Sequence, residues 1–154
     1  MKVNKSLLIG LILVLLMLSS TLIYFIQPIL QAIFQPSLPE GNVVDFELDV
    51  SQKNLVLRQG KVLLEFFYGK ACLDCQEKIS FLDFLANQYK NQTFLEKINV
   101  NESIPRLNII GFNVTQDKVY LDERYLVGNN ITEGNVKDTL CDVMILPPLE
   151  CAKI

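Results

Sequence analysis

From Ser6 to Ile26 the chain reads SLLIGLILVLLMLSSTLIYFI, 21 residues with no charge and only Ser, Thr and Tyr for polarity. At 1.5 Å rise per residue a helix of that length crosses a hydrocarbon core of about 30 Å. The run is therefore expected to be a membrane anchor, not part of a globular core. A cleavable leader is the competing reading, and Lys2 and Lys5 would suit one. Leaders, however, carry an apolar stretch of about 7 to 15 residues followed by a small-residue cleavage site. This run is longer and continues into Tyr24-Phe25-Ile26-Gln27-Pro28. Lys2 and Lys5 precede it and the next basic residue is Lys53, and basic residues beside a span stay cytoplasmic. The expectation is a single-pass cell-membrane protein with residues 1–5 in the cytoplasm, 6–26 in the bilayer and the remainder outside.

Two of the 14 basic residues precede the span, which leaves 12 against 17 acidic residues in the exterior part. That acidic balance, without any basic tract interleaved with aromatics, argues against nucleic acid or an anionic membrane face as a partner. Four cysteines outside the membrane fall in an oxidising compartment, where disulfides persist. Asn91, Asn101, Asn113 and Asn130 each begin an N-x-Ser/Thr triplet, the acceptor pattern for glycans and also a common pattern in polar loops. Residues 27–42, QPILQAIFQPSLPEGN, hold three prolines and a glycine and read as a stiff linker. The folded domain is expected over residues 43–154.

Within it, VVDFELDV (43–50) alternates apolar and acidic residues and reads as a strand. KVLLEFFYG (61–69) is nearly continuous in apolar residues, as in a strand covered on both faces. Ile79, Leu82, Leu85 and Tyr89 follow helical spacing from Cys75 onward, with Phe81 and Phe84 beside them. TFLEKINV (93–100) is a further strand, and IPRLNIIGF (104–112) is expected to be a short helix capped by Ser103 with Pro105 in its first turn. KVYLDERYLVG (118–128) is two apolar runs split by Asp122-Glu123-Arg124, which signals a hairpin. TEGNVKDTLCDVMI (132–145) is a closing helix capped by Thr132, with Val136, Leu140, Val143 and Met144 on one side and Pro147-Pro148 ending it. The fold class is α/β, a mixed sheet flanked by helices and preceded by the anchor.

The segment FFYGKACLDCQEK (66–78) places Cys72 and Cys75 three positions apart after the apolar strand. A reactive dithiol, half of a metal site and a short structural disulfide are all compatible with that spacing alone. The stretch VLLEFFYGKACLDCQEKISFL resembles the active-site segment of the thioredoxin-like superfamily, and VYLDERYLVGNNIT resembles the hairpin and loop before its last helix. The likeness covers about residues 43 to 145 and extends, by architecture, to membrane-tethered prokaryotic members. It implies that Cys72 is the attacking thiol, favoured as a thiolate at a helix N-terminus, and that Cys75 resolves the mixed disulfide. It also implies a cis-proline just before the hairpin strand, where Asp117-Lys118 stand in this alignment. Glu65 falls one residue from the position of the superfamily's buried acid, and a strand-end carboxylate facing solvent is the plainer alternative. Asp74 puts negative charge near the Cys72 sulfur, with Lys70 and the helix N-terminus opposing it. The expected potential is more negative than about −200 mV, suited to a reductant or isomerase.

Cys141 and Cys151 are expected to bridge and pin the C-terminal tail to the last helix. Zinc held by all four cysteines is disfavoured because the second pair is far apart in sequence and the chain has no histidine. No metal, flavin or nicotinamide site is apparent, so reducing power is expected from another protein. The leading function is a membrane-tethered thiol-disulfide oxidoreductase exchanging with thiols or disulfides of exported proteins. A non-catalytic binding or assembly module of the same fold, and a metal carrier, remain open beside it.

Overall fold

The computed structural model of the chain describes residues 36–101, 103–115 and 118–151, together with Val14, Leu16, Met17, Tyr24 and Ile26. The chain divides into a unit Met1–Pro36 and a unit Ser37–Ile154. In the first, the five described residues of the apolar run are helical and exposed. The rest of the expected anchor lies outside the described residues, among which no helix is long and apolar enough to cross a membrane.

The second unit carries, in order, β1 (Val43–Val44), α1 (Val50–Arg58), β2 (Val62–Tyr68), α2 (Cys75–Gln88), β3 (Thr93–Asn99), β4 (Arg106–Val114), β5 (Val119–Val127) and α3 (Glu133–Val143). The strands form one mixed sheet in the order β1-β3-β2-β4-β5. β1 and β2 run parallel to β3, whereas β4 is antiparallel to β2 and β5 to β4. Parallel neighbours need crossovers, and α1 and α2 supply them.

β2 lies in the middle of the sheet and is covered on both sides, which is why its sequence lacks a polar alternation. Leu64 and Phe66 of β2, with Leu95, Leu107 and Ile109 from its neighbours, pack under Leu82 and Leu85 of α2 and Val136, Leu140 and Val143 of α3. Leu63 and Phe94 face the other way, toward Val56 of α1 and Val44 and Leu48. Burial of these side chains, worth roughly 1.5–3 kcal/mol each, is the main force holding the helices to the sheet.

Three expectations are corrected. VVDFELDV is strand only at Val43–Val44, because Asp49 starts a helix instead: its carboxylate accepts from the Gln52 backbone N–H at 2.8 Å while the Gln52 side chain accepts from the Asp49 N–H at 3.2 Å. That reciprocal D-x-x-Q cap satisfies two donors that a strand would leave to solvent. IPRLNIIGF is not a helix; from Arg106 it is strand β4, with Leu107 and Ile109 fully buried and the alternate residues Asn108 and Ile110 facing the α1 side. A period of two with paired isoleucines prevailed over the Ser103–Pro105 helix-start signal. KVYLDERYLVG is not a hairpin by itself but the single strand β5, and the turn is at Thr115–Lys118, closed by Thr115 N–H donating to the Lys118 carbonyl at 2.9 Å. Asp122 and Arg124 fall on one face of β5 and pair at 2.8 Å, so charges read as a turn are accommodated within an edge strand.

The shifted hairpin also moves the proline. Pro105, buried, directly precedes β4, and its carbonyl accepts from the Gly128 N–H at 2.8 Å. The residue before the hairpin strand is thus a proline after all, in a trans peptide bond; of the pair Asp117-Lys118, Asp117 lies outside the described residues and Lys118 closes the turn before β5.

Candidate functional site

Central strand β2 delivers the chain to the site. Its last residue, Tyr68, stacks on Phe66 with ring centroids 5.5 Å apart, and the chain then turns so that the Cys72 N–H donates to the Gly69 carbonyl at 3.1 Å. Asp74 is the N-cap of α2 and Cys75 its first helical residue. Cys72 and Cys75 are disulfide-bonded, with Cα atoms 5.5 Å apart. Their exposure differs: Cys72 is half-buried, whereas Cys75 is 4% exposed within the core under α2. It is Cys75, not Cys72, that occupies the first turn of the helix, where the free N–H groups lie, and Cys72 precedes the N-cap Asp74. Leu73 between them is fully exposed, as is much of Ile104 beside Pro105 at the same end of the sheet.

Asp74 has no side-chain cap bond because its carboxylate is engaged elsewhere. One oxygen lies 3.3 Å from Cys72 Sγ, a contact in which a disulfide sulfur has no proton to donate, and the other accepts from the Lys78 ammonium. The Lys78 bond holds the exposed Asp74 carboxyl below its ordinary range. The cation that meets Asp74 is therefore Lys78, whereas Lys70, singled out in the sequence, is exposed on the loop. Asp-x-x-x-Lys across the helix start is an i,i+4 pair that the sequence displays. Beside Lys78 a groove of about 420 Å³ opens between the first turns of α2 and the turn before α3, lined by Glu77, Phe81, Ile131 and Thr132 among others.

Glu65 is neither at a strand end nor in solvent. It is 6% exposed in mid-β2, accepts from Lys53 Nζ at 2.7 Å and from Asn108 Nδ2 at 3.0 Å, and faces α1. Its strand neighbours Leu64 and Phe66, pointing oppositely, are the ones that share a core with Cys75. Directly across from it in register is Glu96 of β3, fully buried, whose Oε2 lies 3.7 Å from Lys53 Nζ and accepts from the Leu48 N–H at 3.3 Å. Burial pushes the Glu96 carboxyl up to about 7, against the opposing pull of Lys53 and the Leu48 N–H. Burial alone would lower the Lys53 ammonium, but its bonds to Glu65 and Glu47 outweigh that and raise it. Lys53 and Glu96 were not singled out from the sequence; the signal available was a glutamate at an inward position of FLEKIN with no partner on its own strand.

Cys72 Sγ, Cys75 Sγ and an Asp74 oxygen lie within 4.8 Å of one another, a set that could ligate a metal once the disulfide is reduced. Cys141 and Cys151 are bonded to each other, Cα to Cα 5.4 Å. Asn91, Asn101 and Asn130 are exposed, while Asn113 is half-buried in β4. No family model matches the chain, and no curated protein matches it. What the structure defines is a mixed α/β fold, a five-stranded sheet flanked by helices with a C-x-x-C disulfide at the start of the helix after its central strand. That arrangement is compatible with a thioredoxin-like fold and with thiol-disulfide chemistry.

Proposed function

We propose that the protein is a thiol-disulfide oxidoreductase of thioredoxin-like fold, tethered to the cell membrane by residues 6–26 and exchanging with protein thiols or disulfides outside it. The observation that carries this reading is the unequal exposure of one disulfide, half-buried Cys72 against buried Cys75. In the reduced form the Cys72 thiolate attacks a substrate disulfide sulfur, forming a mixed disulfide and releasing one substrate thiolate. Cys75, held one helical turn away, then attacks Cys72 Sγ; the second substrate thiol leaves and two electrons have passed to the substrate. Run backwards, the same steps oxidise a dithiol. Either direction needs a partner protein to reset the pair.

The order β1-β3-β2-β4-β5 and the position of Pro105 before β4 support the family assignment. Exposed Leu73 and Ile104 give an apolar surface suited to a polypeptide rather than to glutathione alone. The acidic exterior part and the run at 6–26 support the location. The test is insulin reduction by the full-length chain in mild detergent. Cys72→Ser should abolish exchange and Cys75→Ser should accumulate mixed disulfides; a folded protein whose pair exchanges with no polypeptide would instead be a binding module. Protease added to intact cells should remove residues 37–154, and protection until lysis would overturn the location.

A further inference from the structure

The two edges of the sheet are unlike. β1 has two residues and offers almost no backbone to a neighbour, while β5 has nine, paired with β4 along its whole length without a bulge. Natural edge strands are shortened, bulged or studded with lysine or proline so that they do not pair with other chains. β5, VYLDERYLV, is neither short nor bulged and has no lysine or proline; its only guards are the central charges Asp122, Glu123 and Arg124, which are of both signs.

Its outward hydrogen-bonding groups are set by the two bonds that bracket the hairpin. Thr115 N–H donates to the Lys118 carbonyl at 2.9 Å at one end and Gly128 N–H to the Pro105 carbonyl at 2.8 Å at the other. Alternation between these ends commits the even-numbered residues of β5 to β4. The N–H and C=O groups of Val119, Leu121, Glu123, Tyr125 and Val127 therefore point out from the sheet. Side chains are also uncovered: these four apolar residues and Tyr120 are 47% to 62% exposed. The cause is topological, since the described residues of the connection between β3 and β4 form no helix to lie over the α1 side of this hairpin.

We infer that β5 is a homodimerisation edge, pairing antiparallel with β5 of a second copy of this chain about a two-fold axis through Glu123. Charge selects both the occupant and the register. With Glu123 on the axis, Asp122 stands opposite Arg124 of the second copy and Arg124 opposite its Asp122. The Asp122–Arg124 pair already present within each strand at 2.8 Å then becomes one side of a four-residue network. Val119 meets Val127, Leu121 meets Tyr125 and Tyr120 meets Leu126 across the seam. A one-residue slip would set outward groups against inward ones. A two-residue slip would set Asp122 against itself or Arg124 against itself, and like charges directly opposite destabilise a ladder. The one unfavourable contact in the chosen register is Glu123 against its own copy. A single edge buries less than a standard interface, so the association is expected to be weak. The inference does not depend on the dithiol.

The test uses the full-length chain with a photo-cross-linking residue at position 121. Irradiation should give a covalent dimer of the chain. Arg124→Asp should lower its yield about tenfold, adding Asp122→Arg should restore it, and Glu123→Gln should raise it about threefold. Circular dichroism melts report whether each variant is folded, and Glu123→Gln keeps the test decisive if Arg124→Asp is not. Absence of the dimer, a yield indifferent to both Arg124→Asp and Glu123→Gln, or cross-links only to lipid or to another polypeptide would each overturn the inference.

Discussion

At the scale of single residues, the Cys72 sulfur meets Asp74 first, at 3.3 Å, and Asp74 meets Lys78. On reduction the Cys72 thiolate is placed beside a carboxylate whose charge is shared with an ammonium. Asp74→Asn should lower the Cys72 thiol pKa and raise the potential of the pair by about 10–30 mV, while Lys78→Gln should move both the other way. Equilibration with glutathione measures this, and indifference to both substitutions would remove Asp74 from the account. The loop lysine that the sequence offered, Lys70, should matter less than Lys78. Glu96 gives a second prediction. Its folded-state pKa of about 7 lies above the ordinary carboxyl value, so the folded protein holds that proton more tightly than the unfolded chain does. Its stabilising contribution is complete below about pH 4 and is lost as pH rises through about 7, amounting to about 3 kcal/mol at most. Thermal melts should show stability from this group falling between pH 5 and 8, and Glu96→Gln, which still accepts from Leu48, should flatten that decline. A variant with the wild-type pH profile would mean that Lys53 fully offsets the buried charge.

Among the elements, the closest approach is between β4 and α3. A Cβ on Gly111 would lie 2.5 Å from the Val143 carbonyl oxygen and 3.0 Å from Val143 Cβ, so α3 seats on the sheet only because residue 111 has no side chain. Gly111→Ala should cost about 2 kcal/mol or more, visible as a drop in melting temperature of about 10 °C with secondary structure retained. Unchanged melting would show that α3 shifts freely. Elements whose patterns were long and continuous were legible in sequence: β2 from its unbroken apolar run, α2 from Leu82 and Leu85, and α3 from its Thr132 cap, which accepts from Asn135 N–H at 3.3 Å. Elements read from punctuation were not. Ser103 and Pro105 mark the start of β4 rather than of a helix, and the charges of β5 resemble a turn in sequence because edge position is a property of the sheet and not of the segment. α1 is legible in principle, as Asp49-x-x-Gln52, but the apolar-acidic alternation before it runs on through the cap and masks the helix start. The pairing of Cys72 with Cys75 was legible because its spacing is local; Lys53, Glu65 and Glu96 come together only through the pairing of β2 with β3.

For the molecule as a whole, the question is what holds residues 144–151 to the domain, since α3 ends at Val143 and the chain continues through Pro147-Pro148. Two ties do so. Cys151, in a short turn Leu149–Cys151, is bonded to Cys141 of α3, and Glu150 Oε2 accepts from the Tyr89 hydroxyl at 3.0 Å at the far end of α2. Burial and, after it, the hydrogen bond to Glu150 raise the Tyr89 hydroxyl above its ordinary value. The disulfide closes a loop of sequence separation 10, for which the chain-entropy argument gives about 3 kcal/mol. Cys141 lies toward the end of α3 and Cys151 next to Glu150, which reaches the far end of α2, so the bridge should act on stability alone. Cys141→Ser should lower the melting temperature by about 10 °C while insulin reduction by Cys72 and Cys75 continues at the wild-type rate below that temperature. The paired variant Cys141→Ser/Cys151→Ser should melt at the same point as the single one, because the tie is lost once either sulfur is gone. If exchange fell while the melting temperature held, Cys141 and Cys151 would be passing electrons to the first pair, and the tail would belong to the redox machinery and not to the scaffold.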